Sequence, residues 1–82
     1  MADAWVRVVR RDGGGVGEQV FMDGNYIETA AVIGTPFETE TGQHTFETID
    51  ADQRPTWQKT QTINRPPGYS RGDPVVVTLA PA

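Results

Sequence analysis

Val20-Phe21-Met22-Asp23-Gly24-Asn25-Tyr26-Ile27-Glu28-Thr29 decides the fold class. Two β-prone runs flank Asp23-Gly24-Asn25. Asp-Gly between such runs is the strongest short-range signal for a β-hairpin, because both central residues of its tight turn need positive φ. Gly42 stands in a similar position between Phe37-Glu38-Thr39-Glu40-Thr41 and His44-Thr45-Phe46, and predicts a second hairpin. Neighbouring strands joined this way pair antiparallel.

Composition agrees. Leucine occurs once, at Leu79, whereas threonine occurs ten times and valine leads the aliphatics. Strands favour Val, Ile, Thr and aromatics, and helices favour Leu, Ala, Lys and Glu. The 82 residues make one domain over 1–82. A chain of this size buries only about two-thirds of its unfolded surface, so its core is thin. No cysteine is present, which removes disulfides, thiolate zinc sites and a Cys nucleophile. The formal charge is −4, and an acidic domain repels phosphate backbones and anionic lipid, so neither nucleic-acid binding nor membrane docking is expected. No apolar run approaches spanning length, and Met1 to Arg7 has no apolar signal-peptide core. Met1 therefore begins either a cytoplasmic protein or a domain excised from a longer chain. Arg, Gly, Ala and Thr outweigh Lys and Ser, a bias that points towards a GC-rich bacterial source.

Seven strands follow from alternation and turn residues: Ala4 to Arg10, Glu18 to Asp23, Asn25 to about Val32, Phe37 to Thr41, Gln43 to Ile49, Trp57 to Asn64 and Pro74 to Ala80. Val6 and Val8 share one face of the first. Trp57, Lys59, Gln61 and Ile63 share one face of the sixth. Val20, Met22, Ile27, Phe46, Ile63, Val77 and Leu79 are the expected core. Asp12 to Gly17 and Arg65 to Asp73 are expected to be mobile loops, because glycine and proline deprive them of ladder bonds. Short strands at this spacing predict a small antiparallel β-sandwich, with a small β-barrel as the alternative.

Glu18 to Leu79 resembles the PEGA domain, a bacterial β-sandwich module of cell-surface and signalling proteins. Val20-Phe21-Met22-Asp23-Gly24, Ile27, Thr35-Pro36, Gly42-Gln43-His44-Thr45-Phe46 and Val75-Val76-Val77-Thr78-Leu79 carry the resemblance. The naming tetrapeptide is absent, Asp23 and Thr35-Pro36 lie further apart than in the family pattern, and Asp50 to Pro74 has no counterpart. The resemblance implies an accessory or interaction module and carries over no active site.

Chemistry is sparse. His44 is the only histidine and Ser70 the only serine, and Ser70 lies in a Pro/Gly loop without a nucleophile-elbow pattern. A strand histidine packing on Phe46, or bonding a nearby carbonyl, is the expected role of His44. Asp50-Ala51-Asp52 opens like a calcium loop, but Arg54 stands where an oxygen ligand belongs and no Glu closes it, so a solvated acidic turn is expected. Glu38, Glu40 and Glu47 would serve glycoside hydrolysis only around a cleft that 82 residues hardly provide. Glu38 and Glu40 read instead as a polar outer face. Gly13-Gly14-Gly15 lacks the Gly-Lys-Ser/Thr ending of a phosphate loop.

Two recognition strings overlap before the last strand. Pro66-Pro67-Gly68-Tyr69 matches the P-P-x-Y ligand of WW domains, and Arg71-Gly72-Asp73 matches the integrin-binding tripeptide. The loop occupies a place similar to that of the corresponding loop in fibronectin type III domains. Pro66, Pro67, Tyr69, Arg71 and Asp73 are therefore the candidate partner-binding residues. Trp5, Trp57, Tyr26 and Tyr69 would stack on sugars if exposed, although both tryptophans are expected in the core. The resulting expectation is a non-enzymatic accessory or scaffold β-module without a cofactor, binding a protein partner. A carbohydrate-binding module is the alternative.

Overall fold

The computed structural model describes residues 4–27, 30–64 and 72–82. Among them every regular element is a strand: β1 (Ala4–Arg10), β2 (Phe21–Met22), β3 (Asn25–Tyr26), β4 (Phe37–Thr39), β5 (Gly42–Ile49), β6 (Pro55–Ile63) and β7 (Val75–Pro81). The expected all-β class and its seven strands are present. Instead of two separately bonded layers, all seven strands share one mixed sheet in the order β3-β2-β5-β6-β7-β1-β4, curled into a half-barrel. The curled sheet fits the barrel alternative.

The Asp-Gly turn forms as its sequence dictates. Asp23 (φ 55) and Gly24 (φ 79) both adopt positive φ, and Met22 pairs directly with Asn25 across the two-residue loop. Among the described residues the hairpin ladder is short, and pairing resumes at an isolated Gln19↔Val32 bridge. Beside that bridge, the Val20 N–H donates to the Ala31 carbonyl (2.8 Å) and the Ile33 N–H to the Glu18 carbonyl (2.9 Å). Among the described residues of the expected third strand, Asn25–Tyr26 is strand and Val32 makes this irregular contact.

Gly42 does not make a second hairpin. Its φ of 121 turns the chain, but β4 pairs with β1 while β5 pairs with β2 and β6. A glycine between two β-prone runs marks a change of direction, and partner choice was decided by burial elsewhere. Phe37 of β4 lies opposite Val6 of β1, and both are buried.

The terminal strands pair in parallel, with Val6↔Val75, Val8↔Val77 and Arg10↔Leu79 in register. Antiparallel pairing of sequence neighbours is therefore kept at β2–β3, β5–β6 and β6–β7 but not at the chain ends. A parallel pair needs a long connection. Here the rest of the domain is that connection.

Within the curl lie Ala4, Val6, Val8, Val20, Ala31, Ile33, Phe37, Phe46, Ile63, Val77 and Leu79. Five of the seven expected core residues are among them; Met22 and Ile27 are half-buried against the cluster. The two ends of the sheet meet across this interior, where the Thr39 hydroxyl on β4 donates to the Met22 sulfur on β2 (3.1 Å). The buried Thr48 hydroxyl bonds that of Thr56 (2.8 Å), so the few polar groups inside are paired.

Val77 and Val76 provide a matched pair for testing the register. Val77 is fully buried and Val76 is 45% exposed. Val77→Ala should lower stability by about 1–3 kcal/mol in urea unfolding. Val76→Ala should change it by less than about 0.5 kcal/mol. Equal losses would show that the β7 faces are misassigned.

Candidate functional site

Two side-chain clusters hold the polar chemistry of the described residues. The first is built on the Asp23 turn. Positive φ at Asp23 and Gly24 brings Asp23 back over β5, where its carboxylate makes two contacts and its backbone a third. The Thr45 N–H donates to Oδ1 (2.9 Å), the Asp23 N–H donates to the Thr45 carbonyl (2.8 Å), and Oδ2 lies 2.7 Å from His44 Nδ1. His44 Nε2 lies 3.0 Å from the Glu40 carbonyl oxygen in the β4–β5 turn.

Both partners of the ring are pure acceptors when Asp23 is ionised. A neutral imidazole has one donor and one acceptor nitrogen, so only the doubly protonated ring satisfies both contacts. The electrostatics follow. Partial burial disfavours the charged ring, but the hydrogen bond and charge of Asp23, with the Glu40 and Thr41 carbonyls, hold it above its ordinary 6.5. Burial likewise pushes the Asp23 carboxyl up, yet the Thr45 N–H and His44 hold it below its ordinary 3.8. The His44 ring also meets Phe46 edge-on, with centroids 6.2 Å apart. The expected packing on Phe46 and bonding to a carbonyl are both present. Ser70, the nucleophile weighed beside His44, lies outside the described residues.

Arg10 centres the second cluster, which sequence reading missed. Its guanidinium forks onto Asp12, with Nε to Oδ1 at 3.0 Å and Nη2 to Oδ2 at 2.6 Å, and its Nη1 reaches Glu18 at 3.2 Å. Its Cζ lies over the Trp57 ring, 4.3 Å from the centroid. Asp12 is held below its ordinary value first by Arg10 and then by the Gly14 N–H. Trp57 is accordingly half-buried beneath Arg10 rather than fully enclosed. Alternation along a single strand carries no sign of this contact, because it joins β1 to β6 across β7.

The glycine-rich loop is shaped by this cluster. Gly13 N–H donates to the Arg10 carbonyl (2.9 Å), Gly14 N–H to Asp12 Oδ1 (2.9 Å), Glu18 N–H to the Gly15 carbonyl (2.9 Å) and Gly17 N–H to the Ile33 carbonyl (3.0 Å). Absence of ladder bonds did not leave Asp12 to Gly17 without hydrogen bonds. Turn bonds replace them, because positive φ at Gly13, Gly15 and Gly17 lets the chain reverse repeatedly.

The remaining candidates separate. Asp50 caps its own turn, accepting the N–H groups of Asp52 (2.9 Å) and Arg54 (3.0 Å) on Oδ1, as a solvated acidic turn would. Glu38 and Glu40 are exposed at β4, and Glu47 is half-buried on β5. Among the described residues there is no pocket, and no three metal-ligating side chains converge. Of the recognition strings, Pro66, Pro67, Tyr69 and Arg71 lie outside the described residues, while Asp73 is exposed just before β7. Among the described residues no helix is long and apolar enough to cross a membrane. Comparison with known protein families, curated proteins and solved structures found no match.

Gly15 tests the Arg10 clamp. A Cβ there would lie 2.7 Å from Arg10 Cδ, at φ +73, whereas one at Gly17 (φ +92) meets nothing within 4 Å. Gly17→Ala should lose about 1–2 kcal/mol through backbone strain alone. Gly15→Ala should lose more, and should also perturb the Trp57 fluorescence. Identical losses with unchanged fluorescence would contradict the clamp.

The lowered Asp23 pKa fixes a second expectation. A carboxyl with a depressed folded pKa contributes stability that is present above its unfolded value and lost as pH falls through the folded one. Stability should therefore decline below about pH 3.8 through this group, and Asp23→Asn should flatten that part of the acid limb in pH-dependent thermal unfolding. An unchanged limb would remove Asp23 as a contributor.

Proposed function

We propose that this chain is a non-catalytic accessory or scaffold β-module that mediates protein interaction in a bacterial assembly. The observation that supports this reading best is how its reactive side chains are used. The single histidine has both ring nitrogens engaged with Asp23 and the Glu40 carbonyl, and Arg10 is committed to Asp12, Glu18 and the Trp57 ring. Groups bound this way hold the domain together.

The recognition surface belongs to the loop between β6 and β7. Pro66, Pro67, Tyr69, Arg71 and Asp73 combine restrained backbone with residue types that anchor interfaces. β6 and β7 pair only at their far end, at Trp57↔Pro81 and Gln58↔Ala80, and nearer the loop the Gln61 amide reaches the Val76 carbonyl at 3.5 Å. β6 and β7 therefore have no ladder pairs at the ends that lead into the loop. The PEGA-like turn motifs favour the same class of role, since Asp23-Gly24 makes its hairpin and Val75–Leu79 lies within the last strand. We read the half-barrel as an open barrel rather than a sandwich, because β7 bonds both β1 and β6.

A second reading rests on a specific row of side chains. Register places Tyr26, Phe21, Glu47 and Gln58 in line across β3, β2, β5 and β6. Tyr26 is 57% exposed and meets Phe21 edge-on at 6.3 Å. An aromatic platform beside a carboxylate and an amide suits a sugar ring.

Affinity capture with the parent and a Tyr69→Ala, Arg71→Ala double variant separates these readings. Loss of a specific protein partner in the double variant supports the loop as the interface. A partner retained at equal affinity shows that the loop is only a connection. Glycan binding that is abolished by Tyr26→Ala and indifferent to the double variant would replace the protein reading with the carbohydrate one.

A further inference from the structure

We propose that His44 is a pH-sensitive latch that docks the β2–β3 hairpin onto β5 and the β4–β5 turn. The inference concerns the fold itself and holds for either binding partner considered above.

The hairpin's backbone ladder is short, although Met22 accepts the Thr39 hydroxyl and packs against the core. Its strands are two residues each, and its ladder to β5 consists of Phe21↔Glu47 and Met22↔Phe46. It forms one end of the sheet, and a short two-stranded hairpin is marginal in water without further contacts. At its turn, contacts gather on Asp23: the reciprocal backbone and carboxylate bonds with Thr45, and the 2.7 Å contact with His44. His44 then ties this turn to the β4–β5 turn through the Glu40 carbonyl. One ring thus joins three parts of the chain, and it completes both contacts only as an imidazolium.

Loss of one proton breaks the arrangement whichever nitrogen releases it. If Nδ1 is deprotonated, its lone pair faces the Asp23 carboxylate. If Nε2 is deprotonated, its lone pair faces the Glu40 carbonyl. Two acceptors then stand at hydrogen-bond distance with no proton between them, which removes the contact and adds repulsion. Thr45 still holds Asp23, so the hairpin loosens rather than the domain unfolding.

The other elements packed around the ring do not supply an alternative switch. Gln61 on β6 lies opposite His44 and is neutral. Lys59 lies opposite Phe46 and is exposed, so its charge is screened by solvent. Glu40 contributes its carbonyl, and its carboxylate belongs to an exposed residue. Phe46 offers a ring edge. Asp23 is the charged group in direct contact.

The sign follows from linkage. A histidine whose folded pKa is raised contributes fully below its unfolded value, here 6.5, and that contribution disappears as pH rises through the folded value. The closed hairpin is therefore the low-pH state, and opening grows up to tenfold per pH unit between the unlatched and latched pKa values before levelling off.

Hydrogen exchange on the full chain between pH 5.5 and 8.5 reads this directly. Protection factors of the Asp23 and Thr45 amides, corrected for intrinsic rates, report the hairpin. The Arg11 amide, bonded to the Leu79 carbonyl at 2.9 Å between β1 and β7, reports a part of the sheet away from the latch. The latch predicts that Asp23 and Thr45 lose up to tenfold protection per pH unit above about 6.5 while Arg11 does not. His44→Gln should lower hairpin protection at acid pH and abolish its pH dependence. In Asp23→Asn, which keeps a residue tolerant of positive φ, the His44 titration followed by NMR should fall towards 6.5. Parallel pH profiles for all three amides in the parent, or a His44 that titrates at or below 6.5 there, would overturn the proposal.

Discussion

The parallel pairing of β1 with β7 is the constraint on which the rest of the structure depends. It places the buried Val8 and Val77 side by side and gives β4 its partner, because β1 lies between β7 and β4. It also makes the first and last strands neighbours, so the intervening chain must fold back completely before the sheet is continuous. Such long-range contacts are costly in loop-closure entropy and are rewarded only when apolar surface is buried. Ala4, Val6, Val8, Val77 and Leu79, all fully buried, supply that burial at the seam.

On this frame the two polar clusters act as fasteners at sites where the ladder is thin. Arg10 leaves the end of β1 and closes the glycine loop against Trp57 of β6. Asp23 closes the short hairpin against β5, and His44 extends that closure to the next turn. Their placement has a common logic. A small cysteine-free domain cannot staple its loops covalently, and its core is thin, so hydrogen-bonded side chains secure the segments that the core does not reach. The histidine and, among the described residues, the best-buried arginine are both used in this way.

Much of the fold was legible in the residues, for local reasons. Asp23-Gly24 fixed a tight turn because both positions need positive φ, and β1 matched its reading residue for residue because Val6 and Val8 alternate with Arg7. Phe46, Ile63, Val77 and Leu79 were readable as core from the same alternation. Ala31, Ile33 and Phe37 were not, since they lie in irregular segments or beside a strand partner distant in sequence. Gly42 misled because a glycine announces a turn without announcing which strands then pair. The parallel β1–β7 ladder left no local mark, because among the described residues no helix intervenes to signal a crossover. His44 was correctly placed against Phe46 and a carbonyl, but its link to Asp23 spans a hairpin turn and emerges only from the register. The Arg10 clamp escaped because it crosses between strands that are not neighbours in the sheet.

Cross-strand proton contacts between β1 and β7, measured by NMR on the intact chain, test this account most directly. Parallel and antiparallel ladders place backbone protons differently, and only the antiparallel form brings Hα atoms of opposed non-hydrogen-bonded residues close together. The account predicts amide-to-Hα contacts in the register Arg7↔Val76, Val8↔Val77 and Val9↔Thr78, with no close Hα pair between the two strands. Short Hα–Hα contacts between β1 and β7, or no contacts between them at all, would contradict it and with it the order of the strands on that side of the sheet.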